Sequence, residues 1–211
     1  MALKDHTLDD RITAAAQEEF LIRGYSGASL RKIAEKAGVT VGAIQTRYKS
    51  KDALFASLVQ PLLDDMEAVF QSVRADYYSG AEVPLLPQLE VSMRRESAAI
   101  LRLIFGHYTQ AVLLFCRSSG SSLEGYFDSV VRRKIEESIQ FFHHADCPID
   151  ETVLRLLLSA QLDSYRRIVS ECADRETAER CMNALMAYHL GGWTAYFRSM
   201  EQAQEGTAHE V

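Results

Sequence analysis

The chain has 211 residues, 47% hydrophobic and 25% charged, enough for one substantial core or for a small domain fused to a larger one. Four prolines and eleven glycines are too few for the frequent turns of short strands, and no apolar run is long enough to cross a bilayer. A helical fold without a membrane partner is expected, and the formal net charge of −6, taken whole, argues against a nucleic-acid ligand.

Met1–Asp10 mixes Lys4 with Asp5, Asp9 and Asp10 and has no apolar signal-peptide core, which implies a cytoplasmic protein. Leu8, Ile12, Ala15, Ala16 and Phe20 then recur at helical spacing, with Thr7 and Asp10 reading as a capping pair and Gly24 as the stop. A second helix fits Leu30–Ala37 behind the N-cap Ser29, and Gly38 ends it. Thr40 caps a third helix, Val41–Tyr48. Ser50 caps a fourth, which starts at Lys51 and carries Leu54, Phe55, Leu58, Leu62, Met66 and Phe70 on one side. Pro61 lies within that pattern and is expected to kink or break it, setting the bend of a rigid link between head and body.

Ser79–Pro87 reads as a linker. Helices are expected at Gln88–Phe105, His107–Arg117, Ser122–His144, Asp150–Cys172 and Arg175–Met200, separated by Ser118–Ser122, Cys147–Pro148 and Asp174, with a frayed tail from Gln202. The cysteines Cys116, Cys147, Cys172 and Cys181 include no C-x-x-C pair and read as free thiols.

The distribution of charge outweighs its sum. Between Ser29 and Lys51 stand six bases (Arg31, Lys32, Lys36, Arg47, Lys49 and Lys51) against one acid, Glu35, a local +5 on a remainder of −11. Such a patch can dock on phosphates because charges act over a Debye length of roughly 8–10 Å. In the segment Leu30–Tyr48, LRKIAEKAGVTVGAIQTRY, the residues Ile33, Ala34, Ala37, Val39 and Ile44 would form the shared core of two steeply crossing helices. Ala34 is small where the second helix passes, and Gly38 sits where a left-handed turn costs other residues roughly 1–2 kcal/mol. This is a helix-turn-helix pattern, with the third helix free to enter a major groove.

Gly24-Tyr25, Ile33-Ala34, Ala37-Gly38-Val39-Thr40, Gly42 and Tyr48-x-Ser50-Lys51-Asp52-x-Leu54-Phe55 together resemble the DNA-binding domain of the tetracycline-repressor (TetR) family over about residues 8–55. The resemblance implies an all-α protein of about nine helices. Its N-terminal three-helix DNA-binding domain would span residues 1–50, and its helical effector-binding and dimerisation domain residues 51–211. It implies a homodimer on double-stranded operator DNA, usually a repressor, released by a small-molecule effector. By resemblance and position, Gln45 and Thr46 would read bases and Val41 would make an apolar contact. Thr40, Arg47, Tyr48 and Lys51 would contact phosphates. The Tyr48 ring is equally placed to join the small core, and Lys32, Lys36 and Lys49 suit a solvated face. Two positions depart from the family's usual residues: Ala28 stands for Thr, and Gln45 stands for an aromatic residue. Gln45 can read adenine through N6 and N7.

The resemblance places dimerisation on the last two helices. A stretch rich in small residues supports a partner surface there: Ala184, Leu185, Ala187, Tyr188, Gly191, Gly192, Ala195 and Tyr196, with Val153, Leu156, Leu157, Ala160 and Tyr165 supplied by the preceding helix, and packing within the chain as the other reading of part of it. Mid-helix glycines cost roughly 1 kcal/mol each against Ala. An effector pocket would lie between residues 62 and 170. Met66, Phe70, Met93, Phe105, Tyr108, Phe127 and Tyr165 are its apolar candidates, and each also fits plain core. Arg102, His107 and Cys116 are its polar candidates, with a helix cap or a core position as the other reading of His107.

No Gly-rich phosphate loop, G-x-S-x-G elbow or H-E-x-x-H helix occurs, so no catalytic residue and no cofactor are assigned. His143, His144 and Cys147 are the only metal-like cluster, but adjacent helical residues diverge by about 100°, and no metal is assigned. Two alternatives stand beside the ligand-responsive regulator. One is an effector-independent architectural or cell-cycle DNA-binding protein on the same fold. The other is a helical enzyme or adaptor that uses its first helices only for packing.

Overall fold

The computed structural model describes residues 6–78, 85–147, 149–172 and 174–208. Among them the regular elements are all helices: α1 (His6–Gly27), α2 (Leu30–Ala37), α3 (Val41–Tyr48), α4 (Lys51–Tyr78), α5 (Leu85–Gly106), α6 (Tyr108–Cys116), α7 (Tyr126–His144), α8 (Glu151–Glu171) and α9 (Arg175–Ala208).

The boundaries follow local chemistry. Thr7 lies inside the first turn of α1, not ahead of it, because the helix already runs at His6. Gly24 does interrupt α1, with φ 67 and ψ 169, and the chain turns once more before Gly27. α4 passes through Pro61 without a break, where a kink or a stop is expected. The ring removes the donor that would meet the Ser57 carbonyl and crowds that oxygen, but one such defect does not end a helix of 28 residues held by its other bonds. α5 begins at Leu85 and takes in the last three residues of the expected linker. Pro87 stands in its first turn, where a missing N–H leaves no helical bond unmade. Residues 79–84 of that linker, and Pro148 of the expected breaker, lie outside the described residues. α7 starts at Tyr126, not Ser122, because the preceding loop satisfies itself. Ser121 Oγ donates to the Ser118 carbonyl at 2.6 Å and accepts from Leu123 N at 3.1 Å, and Gly120 and Gly125 have φ of 87° and 77°. α9 continues to Ala208 instead of fraying at Gln202, since Glu201–Glu205 are strong helix formers.

By internal packing the chain divides into two compact units, Met1–Asp64 with His107–Val130, and Asp65–Gly106 with Val131–Val211. The expected boundary at residue 50 falls inside the first unit, between α3 and α4.

In the first unit α1 packs on α2 and α6, and α2 on α3. Its core is Ile12, Ala16, Phe20, Ile33, Ala34, Ala37, Ile44, Leu54 and Phe55, each no more than 4% exposed. Eight-residue helices such as α2 and α3 are not stable alone. Burial supplies the stability, at about 1.5–3 kcal/mol for each large apolar side chain. Phe20, Tyr25 and Phe55 form a ring cluster, with the Phe20–Phe55 centroids 5.0 Å apart and those of Tyr25 and Phe55 5.4 Å apart. The loop after α6 is bound to this cluster's frame: Tyr25 N donates to the Arg117 carbonyl at 2.8 Å, and Ser122 N to Asp52 Oδ1 at 2.9 Å.

In the second unit α9 packs on α5 and α8. Ile135, Ile139, Phe141, Phe142, Leu154, Leu158, Trp193 and Phe197 form its core with Leu89.

Candidate DNA-binding face and body cavity

The turn between α2 and α3 has the expected backbone. Gly38 is left-handed, with φ 63 and ψ 42, and its N–H caps the Ala34 and Glu35 carbonyls. Arg11 from α1 donates to the Ala37 carbonyl and, at 3.2 Å, to that of Gly38, so the exposed end of α2 is closed by a cation. A Cβ on Gly38 would stand 2.6 Å from Arg11 Nη2. Thr40 is the N-cap of α3, and its hydroxyl accepts from Ala43 N at 3.1 Å. The whole turn is thus fixed by hydrogen bonds within the first unit.

α3 buries Ile44 and exposes Gln45 and Thr46, with Val41 half-buried. The Thr46 hydroxyl donates back to the Gly42 carbonyl at 2.9 Å. Tyr48 is half-buried, and burial together with the nearby Asp9 holds its hydroxyl above the ordinary tyrosine value.

Two cations expected at phosphates have internal partners. Arg47 Nε lies 2.5 Å from Asp9 Oδ1. Lys51 Nζ donates to the Tyr25 carbonyl at 2.8 Å and the Ala28 carbonyl at 3.2 Å, and it sits 4.3 Å from the centroid of the Tyr25 ring. Ala28 itself is buried. Lys36 pairs with Glu18. Arg31, Lys32 and Lys49 are exposed and have no ion-pair partner among the described residues.

The second unit holds a half-open cavity with about 90 Å³ of room for the centres of water-sized molecules. Of the expected pocket residues, Met93 and Tyr165 line it and the other eight do not. Met66 and Phe105 are buried, Phe70 lies under the Arg133 guanidinium at 4.5 Å, and Arg102 is exposed. His107, Tyr108, Cys116 and Phe127 belong to the first unit. His107 stands at the N-cap position of α6 without making a side-chain cap bond, and Phe127 meets Phe115 edge-on at 5.3 Å.

The cavity's polar groups come mostly from residues that carry no mark in the sequence. Glu96 and Lys134 pair at 2.6 Å, and the Tyr77 hydroxyl donates to the second Glu96 oxygen at 2.8 Å. Burial, then the Glu96 charge, pushes the Tyr77 hydroxyl well above its ordinary value, so it stays a donor. Trp193 Nε1 donates to Gln161 Oε1 at 2.6 Å, and Gln161 Nε2 donates to the Tyr165 hydroxyl at 2.8 Å. His189, Trp193 and Phe197 line the wall from one face of α9. Their i, i+4 spacing is the one signal that could have found them, masked because the glycine-rich opposite face of the helix dominates its pattern.

That opposite face is exposed. Tyr188 is 73% accessible and Ala184, Ala187, Gly191, Gly192 and Ala195 are exposed with it, as are Leu156 (67%), Leu157 and Ala160 on α8; of the other residues expected at the interface, Val153, Leu185 and Tyr196 are half-buried and Tyr165 is buried. A Cβ placed on Gly191 or Gly192 would meet nothing within 4 Å. Among the described residues no three His, Cys, Asp or Glu side chains gather as a metal site; His143 lies 3.3 Å from Glu151, and the His144 ring is 5.6 Å from that of Tyr78. No single helix among them is long and apolar enough to cross a membrane.

Two short helices joined by a left-handed glycine and braced by a third, with Gln45 and Thr46 exposed on the second of them, make up a helix-turn-helix. Residues 12–58 match the family model of bacterial regulatory proteins, tetR family, so that segment is similar to the DNA-binding part of that family. The HTH-type transcriptional regulator RutR of Escherichia coli (strain K12) is 30% identical over 105 residues, which is 50% of this chain and 44% of that protein. RutR of Shigella flexneri matches to the same extent. The chain thus spans about half the length of the curated relatives it matches. Among solved structures, a TetR-like transcriptional regulator from Rhodococcus sp. RHA1 superposes with TM-score 0.59 at 20% identity, covering 90% of this chain and all of that one. The TetR family transcriptional regulator PfmR from Thermus thermophilus gives TM-score 0.57 at 18% identity over 90% of this chain and 95% of its own. FadR from Bacillus subtilis, solved in complex with stearoyl-CoA, gives 0.53 at 15% identity over 87% and 98%. At these identities the likeness is one of fold.

Proposed function

We propose that this chain is a cytoplasmic transcriptional regulator that binds a palindromic operator as a homodimer, represses from it, and leaves it when a small molecule fills the body cavity. The observation that carries the reading is the exposed Gln45–Thr46 face of α3, set by the Gly38 turn and by Arg11. Residues 1–50 read the duplex, and residues 51–211 supply the effector site and the dimer. Gln45 and Thr46 read base edges, with Val41 against a thymine methyl. Thr40 and Tyr48 flank the phosphates. The exposed cations Arg31, Lys32 and Lys49 supply most of the phosphate attraction, while Arg47 and Lys51 brace the head through Asp9 and the Tyr25–Ala28 turn.

Dimerisation uses the exposed stripe of α8 and α9. Gly191 and Gly192 open onto empty space, so nothing among the described residues offsets the helix propensity they forfeit. A second helix approaching closely does. The cavity favours an effector-responsive regulator over the effector-independent alternative. A ligand that prefers the arrangement unable to hold DNA, by a few kcal/mol, is sufficient to release it.

Selection from a random duplex library tests this reading. An enriched inverted repeat is expected, with the preference at one position of each half-site relaxed by Gln45→Ala. Recovery of sequences no different from the starting library would overturn it.

A further inference from the structure

Resting on the reading of the cavity as the effector site, we propose that its ligand is an uncharged aromatic molecule with one hydroxyl head. The flat apolar body lies against Trp193 and Phe197, and the hydroxyl sits between Tyr165 and His189.

The walls select the body. Trp193 and Phe197 stack with centroids 5.6 Å apart and planes 19° apart, and Phe142 lies 5.3 Å from Phe197. These rings present faces and edges on which another aromatic ring gains contact beyond simple burial.

The charges select a neutral ligand. Glu96 is closed by Lys134 and the Tyr77 hydroxyl, and Glu137 accepts from Arg133 Nε at 3.0 Å. Arg74, the remaining charged group of the lining, is exposed at the surface. A charged head drawn inside would lose its hydration and find each interior charge already paired, a loss that its attraction to a closed pair does not offset.

The unused hydrogen-bonding capacity selects the hydroxyl. His189 Nε2 is buried, and among the described residues it has no partner. Burial holds this imidazole below its ordinary pKa, so it is neutral near pH 7. The Tyr165 oxygen accepts from Gln161, which leaves its own proton to donate, and burial pushes its pKa up to about 12, so that proton stays. Gln161 is already engaged by Trp193. The Tyr165 and His189 rings meet edge-on with centroids 5.9 Å apart. A hydroxyl both donates and accepts: it accepts a hydrogen bond from the Tyr165 hydroxyl and donates one to Nε2, and if Nε2 carries a hydrogen it accepts from both. An ether or ketone head serves only one of these two states of the imidazole.

Three probes of one shape separate the terms: 4-cyclohexylphenol, cyclohexylbenzene and 4-cyclohexylbenzoate. Occupancy is read by calorimetry and by the emission of Trp193, the chain's single tryptophan. The phenol is expected to bind about tenfold more tightly than the hydrocarbon, and the benzoate more weakly than the phenol. His189→Leu should keep hydrocarbon affinity within about twofold and remove the phenol's advantage. Tyr165→Phe should reduce that advantage without the risk of a refilled core. A benzoate as tight as the phenol, a wild type with no phenol advantage, or an advantage that survives both substitutions overturns the proposal and leaves the cavity as an effector site of other chemistry. If none of the three probes gives heat or alters Trp193 emission, the proposal is overturned in the same way; the effector reading falls separately, if Trp193→Ala and wild type release duplex DNA alike in a broad small-molecule screen.

Discussion

Replacing Lys51 by Met removes an ammonium and keeps most of its stem. That ammonium donates to two carbonyls, of Tyr25 at 2.8 Å and Ala28 at 3.2 Å, and faces the Tyr25 ring. A hydrogen bond from a charged donor contributes about 1.5–3 kcal/mol, and a cation over an exposed ring about 0.5–1 kcal/mol. Lys51 is half-buried and one ammonium serves all three contacts, so the losses overlap. The first unit should lose about 2–3 kcal/mol, with the turn at residues 24–29 opening first. Hydrogen exchange at those amides and chemical denaturation measure the loss, and the salt dependence of duplex binding is measured beside them. A brace leaves the salt slope unchanged. An unchanged stability with a slope lower by about one unit would refute the brace and restore the phosphate role that sequence and resemblance suggest for Lys51.

Gly38→Ala places a side chain at φ 63 and a carbon against Arg11, so it should destabilise the head by about 1–3 kcal/mol; denaturation showing no loss would mean the turn is not required. Gly191→Leu meets open space in the single chain, so the chain should fold at least as well while sedimentation shows the dimer lost or weakened. An intact dimer would move the interface elsewhere. Asp52 is held below the ordinary carboxylate range, first by the Ser122 backbone N–H and then by the Ser122 and Tyr25 side chains. A carboxyl lowered on folding adds stability above the unfolded value, about pH 4, and that stability disappears as pH falls through the folded value. The advantage of wild type over Asp52→Asn should therefore be full at neutral pH and shrink below about pH 4. A difference that does not change with pH would rule out this contribution.

The head was the legible part of the sequence. α2 and α3 are short, Gly38 stops the first of them, and Ser29 and Thr40 start them, so these boundaries carry their own chemical marks; the stop of α3 at Lys49 carries none. Side-chain reach was not legible. Arg47 and Lys51 look like free cations until α1 and the Tyr25–Ala28 turn bring Asp9 and two carbonyls within bonding distance. The body was read less well because aromatic residues line cores and cavities alike. His107 and Cys116 are polar groups in apolar stretches and Phe127 is an aromatic one, yet packing draws their segment into the first unit. The cavity instead takes its polar groups from α4, α5, α7, α8 and α9, whose meeting is a tertiary fact. The missed start of α5 and end of α9 have a simpler cause: Pro87 reads as part of a linker and the polar run from Gln202 as a frayed tail, but a first helical turn tolerates Pro, and polar Gln and Glu are good helix formers.

Two copies of α3, related by a two-fold axis, are expected to read one face of a duplex, and every other functional statement depends on that. The most direct test is the affinity of the chain for a selected inverted repeat before and after about five base pairs, half a helical turn, are inserted at the centre. Two linked recognition helices should lose the altered site by at least about a hundredfold, with a further half-turn restoring part of the binding. Equal affinity for all three spacings would contradict the claim and leave each head acting alone.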